Sequence, residues 1–294
     1  AANSRIRVTI SVPGSSPRLE SFWLDVNSQV ARRERVFYTI PLSWETCERN
    51  CNAQVAKPFD LMARLIVPSP FRIPRNALNG PIRYVISRAD GVAPRLPVTN
   101  EQDVVADGST AVVTICKTCG MTVPLTEAER RSYLASNSWV QSDAAAVQSF
   151  ARRNSGKGTA QQVMTRLVDA VRAHMTGEVD YLGYASATQA LAARSGDCTE
   201  FSVLLAAAGR ARGIPTRIVV GLVYAGRFSG KKDVFSPHTW VQAWTGDRWV
   251  SYDAGLERFD ASHIALAVGD GDPRRTDMNS GTGQWRIEKL GLVK

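Results

Sequence analysis

The chain has 294 residues, of which 44% are hydrophobic and 21% are charged. This composition fits about two globular domains and excludes an intrinsically disordered chain, because enough apolar surface is present to build a core. No apolar run reaches the ~20 residues that a membrane-spanning helix needs. The net charge of +9 weakly favours acidic partners, but no zinc-finger, RNA-recognition or helix-turn-helix pattern accompanies it. We therefore expect neither a nucleic-acid partner nor a membrane span.

Residues 1–122 have the pattern of a β-rich domain. Short stretches with strand-like patterning are separated by turn pairs such as Pro13-Gly14 and Asn79-Gly80. The predicted strands are Arg5–Val12, Ser21–Val26, Val36–Ile40, Leu61–Val67, Ile82–Ser87 and Ala111–Cys116. Strands of this length and spacing are typical of a β-sandwich or a small barrel. This half has no cluster of acids, bases or nucleophiles that would mark an active site.

After Pro124 the pattern becomes helical, and we place a second domain at residues 123–294. Capping residues predict three helix starts. Thr126-x-x-Glu129 is a capping box, Ser142 or Asp143 can cap a helix running to about Arg153, and Thr159-x-x-Gln162 is a second capping box. The helix that begins after Thr159 is predicted to end at Gly177. Ser186 is expected to cap a further short helix, Ala187–Ala193.

The five cysteines divide into four plus one. Two close pairs, C-x3-C and C-x2-C, are formed by Cys47 with Cys51 and by Cys116 with Cys119. Two disulfides are the preferred interpretation, and a structural zinc site with four thiolate ligands is the alternative. Both interpretations make these four cysteines structural. Cys198, which remains, is therefore the candidate for chemistry.

Cys198 is predicted to open a helix. Asp197 is a good N-cap, the following residues have an apolar helical face, and Gly213-Ile214-Pro215 ends the pattern. At the first helical position the backbone N–H groups and the helix dipole favour negative charge. We therefore expect a lowered thiol pKa, a nucleophilic thiolate, and backbone N–H groups able to bind an oxyanion.

A hairpin is predicted to supply the base. His238 opens a strand that ends at Trp244, a tight turn follows, and a second strand leads to Asp253. The start of the first strand of a hairpin lies across from the end of the second, so His238 and Asp253 should be neighbours. A carboxylate beside an imidazole fixes its tautomer and stabilises the imidazolium. The spacing thus predicts a Cys–His–Asp triad, and it offers no ligand pattern for a metal among the histidines.

Several motifs occur together over about residues 125–270. They are Gly196-Asp197-Cys198-Thr199-Glu200, the stretch from Gly213 to Gly221, His238-Thr239-Trp240 and Tyr252-Asp253, with Gly183–Ala187 upstream and Asp260–Ile264 downstream. With these motifs the sequence resembles the bacterial transglutaminase-like superfamily. One departure is Asp253-Ala254, where Asp-Pro is more usual; the carboxylate itself is unaffected.

The resemblance implies an α+β fold, with a papain/transglutaminase-like core in which a helix carrying the cysteine packs on an antiparallel sheet. A β-sandwich-like accessory domain, at residues 1–122, would precede this core. It also implies that Cys198 is the nucleophile, His238 the base and acid, and Asp253 the group that orients His238. Tyr184 is a candidate for a second oxyanion donor, beside the Cys198 N–H. Candidates for substrate contact are Glu200, Trp240 and His263. In the alternative interpretation, in which these residues have structural roles only, Glu200 caps the helix and His263 forms hydrogen bonds within a strand.

The function expected is acyl transfer through a Cys198 thioester, on a peptide or a glutamine-type amide. Water as acceptor makes the protein a cysteine peptidase or amidase, which we favour, while a lysine amine makes it a cross-linking transglutaminase. A non-catalytic envelope-binding module is the alternative from another class. No catalytic cofactor is expected, and no EF-hand calcium loop is present. The small residues at the start, Ala1-Ala2-Asn3-Ser4, favour an exported mature protein. The sequence does not determine the oligomeric state.

Overall fold

The computed structural model describes residues 4–10, 18–37, 40–46, 65–121, 124–177, 185–256, 258–273 and 285–292. Antiparallel strands come first, the helices follow in the middle of the chain, and antiparallel strands return at its end, so the predicted α+β class is confirmed. The helices of the described residues are α1 (Glu127–Leu134), α2 (Ala145–Ser155), α3 (Ala160–His174), α4 (Ala187–Ala193) and α5 (Cys198–Ala211). No helix in these ranges is long and apolar enough to cross a membrane.

The first sheet is an antiparallel meander of four consecutive strands. They are β1 (Ser4–Ile10), β2 (Arg18–Leu24), β3 (Val30–Phe37) and β4 (Ile40–Glu45), in that spatial order. The predicted strand at Val36–Ile40 spans the end of β3 and the start of β4, so one predicted strand corresponds to parts of two. Most of the predicted strand at Leu61–Val67 lies outside the described residues.

The second sheet combines strands from both ends of the chain. Its order is β15-β6-β8-β7, with β6 at Ile82–Arg88, β7 at Gln102–Asp107, β8 at Thr110–Ile115 and β15 at Trp285–Leu292. Along β6, Ile82, Tyr84 and Ile86 are fully buried and alternate with more exposed residues, as one buried sheet face requires. The β15–β6 pairing crosses the domain boundary predicted at residue 122; that boundary stays a prediction.

The central sheet has the order β13-β12-β11-β14. Its strands are β11 (Thr216–Phe228), β12 (Lys231–Trp244), β13 (Trp249–Tyr252) and β14 (His263–Gly269), and the short β5 (Val67–Pro68) pairs with β12. A further two-residue parallel pair joins β9 (Thr176–Gly177) to β10 (Ser195–Gly196). The first nine residues of β11 are all buried: Ile218 and Val220 pack with the helices, and Leu222 and Tyr224 pack with strands of the second sheet.

The helices pack against the central sheet. Helix α5 is apolar nearly all round and lies in the centre of the core, with Leu204 and Leu205 fully buried among residues of α2 and α3. The capping boxes predicted at Thr126 and Thr159 are confirmed, as is the cap at Ser186. Two boundary predictions are wrong. The N-cap of α2 is Ala144, without a side-chain hydrogen bond, and α3 ends at His174 because the chain turns extended at Met175, before Gly177.

Candidate active site

The first residue of α5 is Cys198, and two acidic side chains fix this helix start. Asp197 Oδ1 accepts the Thr199 N–H at 2.8 Å. Glu200 accepts the Asp197 N–H at 3.0 Å with one carboxylate oxygen and the Ala185 N–H at 3.0 Å with the other. Glu200 is buried, and burial is the largest cause that raises its pKa to about 7. Both of its oxygens therefore hold the chain around Cys198, which is the capping role considered for it from the sequence.

One turn further along, a hydrogen bond joins α5 to β12, the strand that carries His238. Ser202 Oγ donates to the Thr239 carbonyl at 2.8 Å. Residues four apart lie on one helix face, so Cys198 and Ser202 both face Thr239. The Thr239 N–H donates to the Cys198 sulfur. The thiol thus lies beside the residue that follows His238, and Cys198 itself is only partly buried.

The β12–β13 hairpin brings His238 and Asp253 together, as the spacing predicts. His238 Nε2 lies 2.7 Å from Asp253 Oδ2, and the two side chains are 6% and 1% exposed. The other carboxylate oxygen, Oδ1, accepts the N–H groups of Gly255 at 2.7 Å and Leu256 at 3.0 Å. Because Nε2 faces the carboxylate, Nδ1 is the ring nitrogen left to exchange a proton with another group.

Gly255 marks the point where the three predicted triad residues converge. A Cβ placed on Gly255 would lie 3.3 Å from Asp253 Oδ1, 3.5 Å from His238 Cε1 and 3.9 Å from the Cys198 Cα. Gly255 is exposed, so solvent reaches this side of the cluster. The residues therefore surround one surface point instead of facing a closed interior.

The pKa of the Cys198 thiol differs from the value expected at a helix start. Burial, followed by the charge of Asp197, raises the pKa of the Cys198 thiol to about 12. The prediction of a lowered thiol pKa is therefore wrong, because desolvation of the thiolate outweighs the helix N-terminus. For Asp253, burial alone would raise the pKa, but His238 and His263 outweigh it and hold the pKa well below its ordinary value.

His263 and Trp240 complete the buried part of the site. His263 Nε2 lies 3.0 Å from Asp253 Oδ2, the oxygen that also meets His238. The Trp240 ring stacks on His238 at an interplanar angle of 19° and meets the His263 ring edge-on at 81°. Both Trp240 and His263 are buried, and the substrate contacts proposed for them stay predictions. Tyr184 lies outside the described residues, so its proposed oxyanion role stays a prediction.

Glu101, which the sequence analysis missed, reaches the site from the opposite half of the chain. Its carboxylate accepts the Ser251 N–H at 3.1 and 3.0 Å and the Gln242 side-chain amide at 3.4 Å. Ser251 Oγ in turn accepts the Trp240 ring N–H at 3.3 Å. Burial is the largest cause that raises the pKa of Glu101 to about 7. Nothing in its local sequence distinguishes Glu101 from an exposed acid at a strand start.

The neighbouring residue, Gln102, attaches the same segment to β14. Its side chain donates to the Ala265 carbonyl at 3.0 Å and accepts the Ala265 N–H at 2.8 Å. The turn that holds this segment contains a disulfide between Cys116 and Cys119, and the Cys116 N–H donates to the Glu101 carbonyl at 3.1 Å. Cys47 and Cys51 lie outside the described residues, so their pairing, and the zinc alternative, stay predictions.

The described residues contain one group with the donor types of a transition-metal site. It consists of His238, Asp253 and His263, whose ligand atoms lie within 4.8 Å of one another. The same atoms hydrogen-bond to one another at 2.7 and 3.0 Å, so each is already satisfied without an ion. His174, the third histidine, is remote from this group and contacts the Leu191 carbonyl at 2.8 Å.

Solved structures with similar arrangements come from several organisms. A candidate cysteine protease from Cytophaga hutchinsonii is 17% identical, covers 74% of this chain and 84% of its own, and has a TM-score of 0.44. The periplasmic domain of TgpA from Pseudomonas aeruginosa is 15% identical, with 72% and 76% covered and a TM-score of 0.42. Red sea bream transglutaminase is 11% identical, with 63% and 47% covered and a TM-score of 0.34. No curated protein matches the chain.

A family model gives the assignment of the central part of the chain. The model of the transglutaminase-like superfamily matches residues 148–254. This range contains Cys198, His238 and Asp253, which the structure brings to one point, and it ends one residue after Asp253. Residues 148–254 of this chain therefore form a transglutaminase-like core.

Proposed function

We propose that the protein is a thiol-dependent hydrolase of peptide or glutamine-type amides, with Cys198 as nucleophile, His238 as base and acid, and Asp253 as the orienting group. The observation that supports it most directly is the convergence of these three residues around Gly255, at a surface open to solvent. A nucleophile, a base within reach and a third group that orients the base are what covalent catalysis requires.

The raised thiol pKa makes the base essential to this proposal. At neutral pH burial keeps the Cys198 thiol protonated, and a thiol is a poor nucleophile. His238 takes the proton through Nδ1 while the sulfur attacks the amide carbonyl carbon. Asp253, held by His238, Gly255 and Leu256, stays ionised and stabilises the imidazolium that forms.

The tetrahedral intermediate then collapses to a thioester. Its oxyanion is placed to accept the Cys198 N–H, since the first N–H groups of a helix have no partner within the helix. The C–N bond breaks, and the amine leaves with the proton from His238. Water next loses a proton to His238 and attacks the thioester, which releases the acid and restores the thiol. We choose water as acceptor because it needs no second binding site.

Two variants and one control test this mechanism. The protein is incubated with casein as probe, with and without a fluorescent primary amine, and new amino termini, released ammonia and incorporated amine are measured. Cys198→Ser and His238→Ala should each lower the rate about 10³-fold or more. The matched control, His174→Gln, should leave it unchanged, because His174 ends another helix, α3, and its ring contacts the Leu191 carbonyl.

The products separate the candidate functions. New termini or released ammonia without amine incorporation support the hydrolase. Amine incorporation that requires Cys198 would identify a cross-linking transglutaminase and show that water is not the acceptor. Absence of both reactions, from a folded protein tested also with a free glutamine-type amide, would overturn the enzymatic proposal and favour the binding module.

We propose further that the protein works in an oxidising compartment such as the periplasm, on protein substrates. The disulfide between Cys116 and Cys119 supports this placement. Thiol titration of the denatured, unreduced protein should find one free thiol of the five cysteines. Five free thiols together with released zinc would support the four-thiolate site and contradict the two disulfides.

A further inference from the structure

The Asp253 carboxylate is shared by two histidines. Its Oδ2 contacts His238 Nε2 at 2.7 Å and His263 Nε2 at 3.0 Å, and all three side chains are nearly inaccessible to solvent. The ring centroids of the two histidines are 5.7 Å apart. A positive charge on His263 would therefore act on the same carboxylate that orients His238.

The second nitrogen of His263 also faces oxygen acceptors. Nδ1 lies 3.1 Å from the Asp260 carbonyl, 3.4 Å from Asp260 Oδ1 and 3.3 Å from the Ser262 hydroxyl. The Asp260 N–H, at 3.4 Å, is a donor in this set, and the Ser262 hydroxyl, the other possible donor, donates to Asp260 Oδ1. With a carboxylate at Nε2 and a carbonyl and a second carboxylate at Nδ1, protons on both nitrogens match the surroundings best.

The remaining neighbours of His263 do not oppose such a cation. The Phe259 and Trp240 rings pack against it, with centroids 5.0 and 5.2 Å away. The charge of the buried Glu101 also acts on His263. Burial alone would lower the pKa of His263, but the hydrogen bonds and charges of Asp253 and Asp260 outweigh it and raise the pKa to about 9.

We infer that His263 is a positioning residue that stays doubly protonated and shares the Asp253 carboxylate with His238, so that Asp253 orients His238 without binding its proton too tightly. This inference rests on the proposed function. A carboxylate that is partly neutralised by a neighbouring cation stabilises the His238 imidazolium less than an unshared one does. The proton that His238 takes from Cys198 is then more easily given to the leaving amine. His263 keeps both its protons throughout.

Two substitutions separate the charge of His263 from its hydrogen bond. His263→Gln keeps an N–H donor for Asp253 and removes the charge, while His263→Phe removes both. In His263→Gln the acidic limb of the kcat/KM profile should move to higher pH by about one unit, because loss of a nearby like charge favours protonated His238. His263→Phe should show the same movement and also a lower plateau, since Asp253 loses a donor.

A measurement that needs no activity keeps this inference separate from the proposed function. The chain has three histidines, so three ring Cε1–H signals can be assigned by substitution. In the wild type the His263 signal should keep its imidazolium shift up to about pH 8, since its pKa is about 9. In His263→Gln the His238 titration should move to higher pH, whereas in His174→Gln, the matched control, it should not move.

The outcomes are distinct. A His263 ring that titrates below pH 7, or a His238 titration that does not move in a folded His263→Gln variant, would overturn the inference even if the enzyme is active. If His263 has only a structural role, its substitution should lower kcat/KM at all pH values and leave the acidic limb of the profile in place. If the NMR shifts occur as expected and no amide is hydrolysed, the electrostatic arrangement stands and the proposed function fails.

Discussion

Glu101 provides a buried carboxylate whose ionisation is linked to the stability of the fold. Glu101 is 5% exposed, and its carboxylate accepts hydrogen bonds from Ser251 and Gln242 in the central sheet. The perturbation is Glu101→Gln, which keeps nearly the same shape and removes the ionisable group. Packing is preserved, so the pH dependence of stability reports on the charge.

The magnitude follows from the pKa. Burial, the largest cause, raises the pKa of Glu101 from 4.5 to about 7. The folded protein therefore binds this proton more tightly than the unfolded chain, and stability is lost as the pH rises from about 4.5 to about 7. The full loss is about 3 kcal/mol, of which about 2.5 kcal/mol falls between pH 5 and pH 8.

The assay is urea unfolding of the wild type and of Glu101→Gln at both pH values. Other groups titrate in both proteins, so the difference between the two free energies of unfolding isolates Glu101. The wild type should lose about 2.5 kcal/mol relative to the variant on going from pH 5 to pH 8. Glu127→Gln, an exposed acid on α1, is the matched control and should show no such change.

One result would refute the reasoning. If the difference in unfolding free energy between the wild type and Glu101→Gln is the same at pH 5 and pH 8, the folded carboxylate does not resist ionisation. The contact between residue 101 and the β12–β13 hairpin would then not involve a desolvated acid.

Two further predictions concern glycines at close approaches. Gly255→Ala should lower the amide hydrolysis rate about tenfold or more without shifting the unfolding midpoint, because its methyl would enter the space beside His238 and Cys198 from an exposed position; an unchanged rate would contradict the convergence. Gly221→Ala should destabilise the protein by about 3 kcal/mol, measured by urea unfolding, because a Cβ there would lie 2.1 Å from the Ile264 carbonyl oxygen; a loss below ~1 kcal/mol would show that β14 moves freely.

The sequence alone determined the parts of the site that depend on short-range interactions. The capping boxes at Thr126 and Thr159 close hydrogen bonds over three residues, and the pattern therefore locates both helix starts. Asp197 places Cys198 at a helix start in the same way. The contact between His238 and Asp253 depends on one tight hairpin, whose geometry follows from the positions of its turn and strands.

The tertiary structure decided everything that depends on burial or on contacts between distant segments. The pKa of the Cys198 thiol is raised, and not lowered as the helix start predicts, because the fold desolvates the thiolate. His263 reaches Asp253 only because β14 lies in the same sheet, and Glu101 reaches Ser251 across 150 residues of chain. Such contacts depend on which faces pack together, and a local sequence pattern carries no information about the partner of a face.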